Sequence, residues 1–409
     1  MTNLSGQAWL SEPQTLKVMN ALSAHGKQPR FVGGCVRDAL LHRPIHDIDI
    51  ATPELPETVV GLLETAGIKA VPTGLEHGTI TAVCEGKPFE ITTLRSDIET
   101  DGRHAKVTFT ENWLVDAERR DFTFNAMSCD IKGEVYDPFD GISDLKAGRV
   151  RFVGSPTERI KEDYLRLLRF FRFNAHFGKG LPDTDALSAC RTLKSGLDGL
   201  SGERIAQEFL RLLEAPNPAK WVSLMKKEGV LAHVLPESQD SLLLEMLCAF
   251  EDKPDAIRRL AILLPAKKEI VIECVKRLRL SNAQKKRLDL ARRSVGTLIP
   301  TASKDTVRCF LFQYGVVAAR DQIMIYWAEK GFSGIGPNEQ NLLSLIDVWE
   351  IKPAVFPLKG RDLMKGGLSA GPELGLALQA VQSWWCETGC HANKEKCLEQ
   401  FFLLQSQSG

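Results

Sequence analysis

The chain has 409 residues, 25% charged and 44% hydrophobic, which are ordinary proportions for globular protein and enough length for two to four structural units. Lys+Arg and Asp+Glu are each 52, so the formal net charge is zero. That excludes a generic cationic coat for nucleic acid, and any contact with a polyanion has to come from local basic patches. The first residues, MTNLSGQAWLSEP, hold no basic stretch followed by an apolar core, so no signal peptide is expected. Apolar runs such as Leu260 to Pro265 are far too short to span a bilayer, so no membrane partner is expected. Ten cysteines are scattered without framework spacing, which fits reduced thiols in the cytoplasm.

Leu10 to Ala24 reads as an amphipathic helix with Leu16, Met19, Ala21 and Leu22 on its apolar side. Phe31 to Ala51, FVGGCVRDALLHRPIHDIDIA, follows as strand, glycine turn, helix, loop and strand. The second strand is expected to end on Asp47 and Asp49, which project from one face, with Ile48 and Ile50 on the core side. Two carboxylates side by side repel unless a cation lies between them, and such oxygen ligands suit Mg²⁺ or Mn²⁺. Gly33 and Gly34 let the backbone approach a ligand closely. The helix that follows offers free N–H groups to a phosphate, and Arg37 can reach the same anion. Alone, a DxD is more often a surface turn and a GG pair says less. In this order, with Arg37 and Asp38, they point to nucleotidyl transfer.

Pro53 to Ala66 reads as a helix, and TITAV and FEITTL as short strands. Glu90 in the second of these is a candidate third carboxylate, as ligand or as base for an attacking hydroxyl. A solvent-facing edge glutamate fits the same pattern. Arg95 to Arg119 is polar and loop-like until a short helix near Asn112, and long polar segments inside a domain are often functional. In RRDFTFNA, Arg120 could clamp a triphosphate, Asp121 could hold that arginine or a sugar hydroxyl, and Asn125 offers donor and acceptor. A charged first helical turn is the plainer explanation. Tyr136 to Gly154 closes the domain with a turn, a short helix and a strand.

From Ser155 the pattern is helical. Asp163, Arg166, Arg169 and Arg172 recur every three residues, a spacing that drifts by about 60° per step. The first three could form one salt-linked face that reads nucleobase edges, while Arg172 nearly opposes Asp163. A basic surface helix has the same periodicity. Further on, Arg277 to Arg293 is the most basic stretch; Lys285, Lys286, Arg287, Arg292 and Arg293 are candidates for an RNA-backbone surface, or a solvated helix face. Ser281 is a candidate N-cap for it. Pro353 to Pro357 reads as a linker, and the Gly366-Gly367 and Gly371-Pro372 turns could bring N–H groups to an RNA phosphate. Cys386, Cys390, His391 and Cys397 fall close together but without a CxxC pair, so ordinary helix residues are expected rather than a zinc site.

These stretches resemble the class II tRNA nucleotidyltransferases (CCA-adding enzymes) and their relatives, the bacterial poly(A) polymerases. The resemblance is carried by GGCVRD (Gly33 to Asp38), DID (Asp47 to Asp49), EHGT (Glu76 to Thr79), EITTLR (Glu90 to Arg95), RRDFTFNA (Arg119 to Ala126) and EDYLRLLRFFRF (Glu162 to Phe173). LSGERI, RLRLSNA and GRDLMKGGLSAGPELG extend it, more loosely, along nearly the whole chain. It implies an α+β head of the DNA polymerase β-like nucleotidyltransferase fold (1–154) with all-α neck (155–215), body (216–352) and tail (353–409) that hold tRNA. It implies two Mg²⁺ ions on Asp47 and Asp49, with Gly34, Arg37 and Arg120 on the nucleotide's phosphates and sugar. It places Asp163, Arg166, Arg169 and Arg172 in the nucleotide pocket, with Asp163 and Arg166 reading base edges. The expected activity is addition of CMP and AMP to tRNA 3′ ends from CTP and ATP. The rivals are a poly(A) polymerase, a CC-only or A-only enzyme, a catalytically silent RNA-binding protein, and a small-molecule nucleotidyltransferase.

Overall fold

The structure, a computed structural model, describes residues 3–75, 78–99, 106–249, 251–293, 298–332 and 334–408. Glu76 and His77 of the EHGT motif lie outside the described residues. The chain forms two compact units, Met1–Ala215 with Trp221–Pro236, and Pro216–Lys220 with Glu237–Gly409.

The first unit contains all the strands among the described residues: β1 Arg30–Val32, β2 Asp49–Thr52, β3 Lys69–Gly74, β4 Thr79–Cys84, β5 Lys87–Thr93, β6 Arg95–Glu99, β7 Lys106–Phe109, β8 Ser128–Cys129 and β9 Val135–Tyr136. Seven build one sheet in the order β3-β4-β5-β2-β1-β8-β9, in which β2 and β5 are parallel. Asp47 lies just before β2, and Asp49 opens the strand. The pair therefore stands at the strand's entry, where a carboxylate can leave the sheet plane, and not at its exit as the alternation suggested. Strands β6 and β7 pair as a hairpin where the polar composition pointed to a loop, with residues 100–105 between them outside the described residues.

The sheet's two faces differ in kind. Phe31, Ile50, Ile91 and Cys129 are fully buried on one face, and Trp9 packs edge-on to Phe31 at 4.7 Å. Ile48, just before the strand, is buried too. Register pairs Asp49 with Glu90 on the opposite face. The helices of this unit include α1 Pro13–Leu22, α2 Gly34–Leu40, α3 Pro56–Thr65, α4 Trp113–Glu118, α5 Gly141–Ala147, α6 Pro156–Glu162, α7 Leu165–Phe177, α8 Thr184–Leu193 and α9 Gly202–Leu213.

The helical stretch from Ser155 is two helices, not one. Asp163 is extended (φ −153°, ψ 106°), and its Oδ1 accepts from the Leu165 N–H at 3.1 Å. A short acidic side chain that bonds the backbone two residues on starts a new helix instead of continuing the old one. Helix α7 then buries Leu167, Leu168, Phe170, Phe171 and Phe173 and packs along α9. Phe173 meets Phe122 and Phe124 edge-on at 5.2 and 5.4 Å, and Phe122 meets Phe152 at 4.6 Å. Such ring pairs contribute about 0.5–1.5 kcal/mol each beyond area burial. They fix α7 to the RDFTFN turn, which matters because both carry polar groups of the site.

The second unit is helical in its described residues. The 26-residue helix Lys304–Glu329 is interrupted at Gly315 (φ 83°) and packs in a core with Trp349, Trp385 and Phe401. Ser281 does cap the basic helix Asn282–Arg293, accepting from the Gln284 N–H at 3.3 Å. Its basic residues divide. Arg287 pairs with Asp321 and Asp255, and Arg292, buried, pairs with Glu329 at 2.8 Å. Those two serve the fold and are not a free RNA surface, which corrects the sequence expectation for them. Lys285, Lys286 and Arg293 are exposed, the last bonded to Asp289. The Gly366 and Gly367 N–H groups donate to Leu363 and Met364 carbonyls, so they finish a helix and are not on offer to a phosphate. Cys386 lies against Cys309, and no set of three metal-ligating side chains gathers among the described residues.

Candidate active site

The site begins at the turn between β1 and α2. Gly33 has φ 69° and ψ −126°, a conformation that costs an L-residue strain. A Cβ there would touch Arg120 Nη1 at 3.5 Å and Asp49 Oδ2 at 3.7 Å. The turn thus lies directly against one cation and one carboxylate of the site. Arg37, in α2, is held by Asp38 at 2.8 Å and by Asn125 Oδ1 at 3.0 Å. Its guanidinium also lies over the rings of Phe173 and Phe177.

Asp49 is half-buried, while Asp47 and Glu90 are exposed. Burial, then the Glu90 charge, push the Asp49 carboxyl up to about 6, with Asp47 adding to the rise and Arg120 and Arg37 opposing it. An isolated fold gains nothing from this arrangement. A divalent cation would reverse it, because Mg²⁺ takes one or two carboxylates together with substrate phosphates. The residues present fit such an ion.

Above them is a cavity of about 620 Å³, in the range of small-molecule sites. It brings together Gly33, Gly34, Arg37, Asp49, Arg120, Asp121, Asn125, Asp163, Arg166, Arg169 and Arg172, all singled out in the sequence. Asp47 is placed by chain continuity and Glu90 by its register with Asp49. Eight arginines and three aspartates line the cavity, which makes it a strongly cationic chamber.

Partnerships within the chamber correct two sequence readings. Asp121 does not hold Arg120. It accepts from Arg169 Nε at 2.6 Å and from Asn125 Nδ2 at 3.0 Å. Arg120 is held by Asp116 at 3.2 Å and donates to the Asn125 carbonyl at 3.4 Å. Asp116, absent from the sequence candidates, also binds Arg119 at 2.7 Å. Burial opposes its charge, but the two arginines outweigh that and hold its pKa below the usual carboxylate range. Arg172 is no outlier. Because α6 and α7 are separate helices, Asp163 is not on the helical wheel that set Arg172 against it. Arg172 is buried, pairs with Glu208 at 2.9 Å and faces the same chamber.

Helix α9 supplies what sequence reasoning missed. Arg204 pairs with Asp163 at 2.7 Å, and Glu208, buried, holds Arg172 and lies 3.6 Å from Arg169. Arg204, Glu208 and Arg211 repeat at steps of four and three, a polar stripe on a helix otherwise read as amphipathic. That stripe was the available signal.

His176, in α7, has its Nε2 2.7 Å from the Arg211 carbonyl. Burial, with Arg172, Arg43 and Arg37 nearby, lowers its pKa from 6.5 despite that bond. The unfolded chain then takes up the His176 proton at a higher pH than the folded one, so stability falls as pH drops through 6.5. His176→Asn is expected to flatten that slope in thermal melts taken between about pH 5 and 7.

A mixed sheet presenting in-register carboxylates beneath a cationic, nucleotide-sized chamber, with helices beyond, defines a nucleotidyltransferase. Comparison with known proteins gives the family. Residues 29–151 match the Poly A polymerase head domain, and residues 182–242 match the probable RNA and SrmB-binding site of polymerase A. The mitochondrial CCA tRNA nucleotidyltransferase 1 of Mus musculus is 34% identical over 392 residues, covering 90% of this chain and 85% of its own. The CCA-adding enzyme of Lactobacillus gasseri is 31% identical over 404 residues, covering 96% and 97%. The crystal structure of the Bacillus stearothermophilus CCA-adding enzyme in complex with CTP aligns over 97% of this chain and 98% of its own, with a TM-score of 0.75 at 28% identity. The chain belongs to the CCA tRNA nucleotidyltransferase family.

Proposed function

We propose that this protein adds CMP, CMP and AMP in turn to the 3′ end of tRNA, from CTP and ATP, with release of pyrophosphate. The observation that carries this is the single chamber in which the Gly33 turn and Asp49 meet Asp163 and the arginines of α7. One end suits a triphosphate and the other a nucleobase. The mouse and bacterial relatives, and the CTP complex, support the same substrates.

In this mechanism Arg37 and Arg120 neutralise the triphosphate and orient it along the Gly33-Gly34 turn. Asp163 and Arg166 present an acceptor and a donor to the base edge. Arg169, fixed by Asp121, and Arg172, fixed by Glu208, keep that end rigid. The RNA 3′-hydroxyl attacks the α-phosphorus, the new P–O bond forms, and the bond to pyrophosphate breaks. Two Mg²⁺ ions held by Asp47 and Asp49 would lower the hydroxyl's pKa and offset charge on the leaving oxygens. Glu90, in register with Asp49, is the third carboxylate.

Within this proposal residues 1–154 are the catalytic head, 155–215 a neck that chooses the base, and 216–352 and 353–409 a body and tail that hold tRNA. Lys285, Lys286 and Arg293 remain the RNA-facing members of the basic helix. Ten free cysteines, eight of them buried, suit a reducing cytoplasm.

The test is incorporation of labelled CTP or ATP, with Mg²⁺, on tRNA transcripts ending before CCA, after C and after CC. Addition of C, C and A, then arrest, is the expected result. Unlimited ATP addition to varied RNAs would make it a poly(A) polymerase. CTP use without terminal A, or A added only after CC, would make it one of a divided pair. No incorporation by folded protein would leave RNA binding or small-molecule transfer.

A further inference from the structure

Beside the nucleotide chamber lies a second cavity of about 320 Å³, between α4 and strands β1, β8 and β9. Its floor is the sheet face that carries Asp49. Arg30 pairs with Ala51, Val32 with Ser128, and Ser128 with Tyr136. Residues paired across strands, or two apart along one, share a face, and Asp49 is two residues from Ala51. Strands β2 and β8 are two spacings apart, roughly 10 Å. Arg120 lines both cavities.

Arg30 dominates this second space. Its guanidinium lies 4.3 Å from the Trp113 ring centroid and 3.6 Å from that of Tyr136. Its Nε is buried without a hydrogen-bond partner, and among the described residues it makes no ion pair. Seven of the eight arginines that line the chamber are each paired with an acid. With two aromatic rings against its faces, only the edge of Arg30 is left for a ligand. That edge matches the oxygens of a phosphate. Asp116 and Asp137 also line the cavity, but the first is paired with Arg119 and Arg120 and the second accepts from the Gly141 and Ile142 N–H groups. The Leu114, Pro138 and Trp113 walls are apolar, with Leu114 47% exposed. They suit a ribose and base attached to the phosphate and offer nothing to a free anion.

We infer that this cavity holds a phosphodiester from the last few nucleotides of the RNA acceptor end. Arg30 grips the phosphate, and the apolar walls receive the nucleoside. Arg30 is then a positioning residue that brings the terminal ribose to Asp49. This rests on the neighbouring chamber being the nucleotide site.

Binding of a tRNA transcript ending before CCA is the measurement, as a function of salt, with the full chain. Arg30→Gln should weaken binding, shrink the slope of log K against log salt by about 0.7–1, and leave the KM for CTP unchanged. Arg30→Lys, which keeps the charge without the fork, should keep that slope. A neutral methylphosphonate at one of the last three linkages should weaken wild-type binding and add nothing to Arg30→Gln. An unchanged slope in a folded Arg30→Gln protein would overturn the inference. So would methylphosphonate effects that add to the substitution at every linkage, or a raised KM for CTP in place of weaker RNA binding. If the wild type incorporates neither CTP nor ATP yet the linkage coupling holds, the proposed activity falls and the Arg30 site stands. Normal incorporation with uncoupled linkages is the reverse.

Discussion

Asp49→Ala is expected to abolish nucleotide incorporation while leaving the fold as stable as before or slightly more so. The two effects have one cause. The Asp49 carboxyl is half-buried beside Glu90 and its pKa is pushed up to about 6. Its ionised form is therefore disfavoured in the folded protein, and the unfolded chain releases that proton more readily. Folding is accordingly favoured as pH falls from above 6 toward 3.8, and opposed as it rises through that window. Removing the carboxylate takes away this cost. It also takes away a ligand for the ions that would balance charge on the reacting phosphates, a contribution of several kcal/mol, or about 10³-fold or more in rate. Asp47→Ala should lose activity similarly; being exposed, it should not change stability. Rates with saturating CTP and Mg²⁺, together with melting temperatures without divalent metal, check both halves. Mg²⁺-dependent activity retained by either variant would remove the metal assignment. A marked drop in Asp49→Ala melting temperature would remove the account of its strain.

Much of this site was legible because its parts are local. The GG turn, Arg37 and the DxD fall within twenty residues, so one strand–turn–helix–strand reading placed them together, and the register of β2 with β5 then put Glu90 beside Asp49. The difficulties came where a side chain competes with its own backbone or where a partner is remote. The apolar period continues through Asp163 and predicts a helical residue there, yet its bond to the Leu165 N–H breaks the helix. That one break changes which residues face Arg172. Asp116 lies in a segment with no strong period, and its role appears only when α4 sets it against Arg119 and Arg120. Arg287 and Arg292 looked like an RNA surface because charge along a sequence does not reveal which carboxylates, 34 and 37 residues away, come to meet it.

Asp121→Ala is expected to cost both stability and activity, through separable routes. Asp121 is buried, and although burial opposes its charge, Arg169, Asn125 and its neighbour's N–H hold its pKa below the usual range. Without it the closest acid left to Arg169 among the described residues is Glu208, at 3.6 Å. Leaving a buried charge unpaired costs about 3–5 kcal/mol, whereas removing both members of such a pair is often close to neutral. Arg169→Met added to Asp121→Ala should therefore restore most of the lost stability, read as the denaturation midpoint. It should not restore incorporation. Asp121 is the middle of a hydrogen-bonded chain from Arg169 through Asn125 to Arg37, which ties the base-reading end of the chamber to the phosphate end. With the link gone, Asn125 loses its anchor, and Arg37, still paired with Asp38, loses a fixed second acceptor, so the KM for both nucleotides should rise. If the double variant regains stability and wild-type KM together, the chain is only structural. If stability returns while KM stays high and choice between CTP and ATP relaxes, the same buried carboxylate that holds the fold also sets the nucleotide.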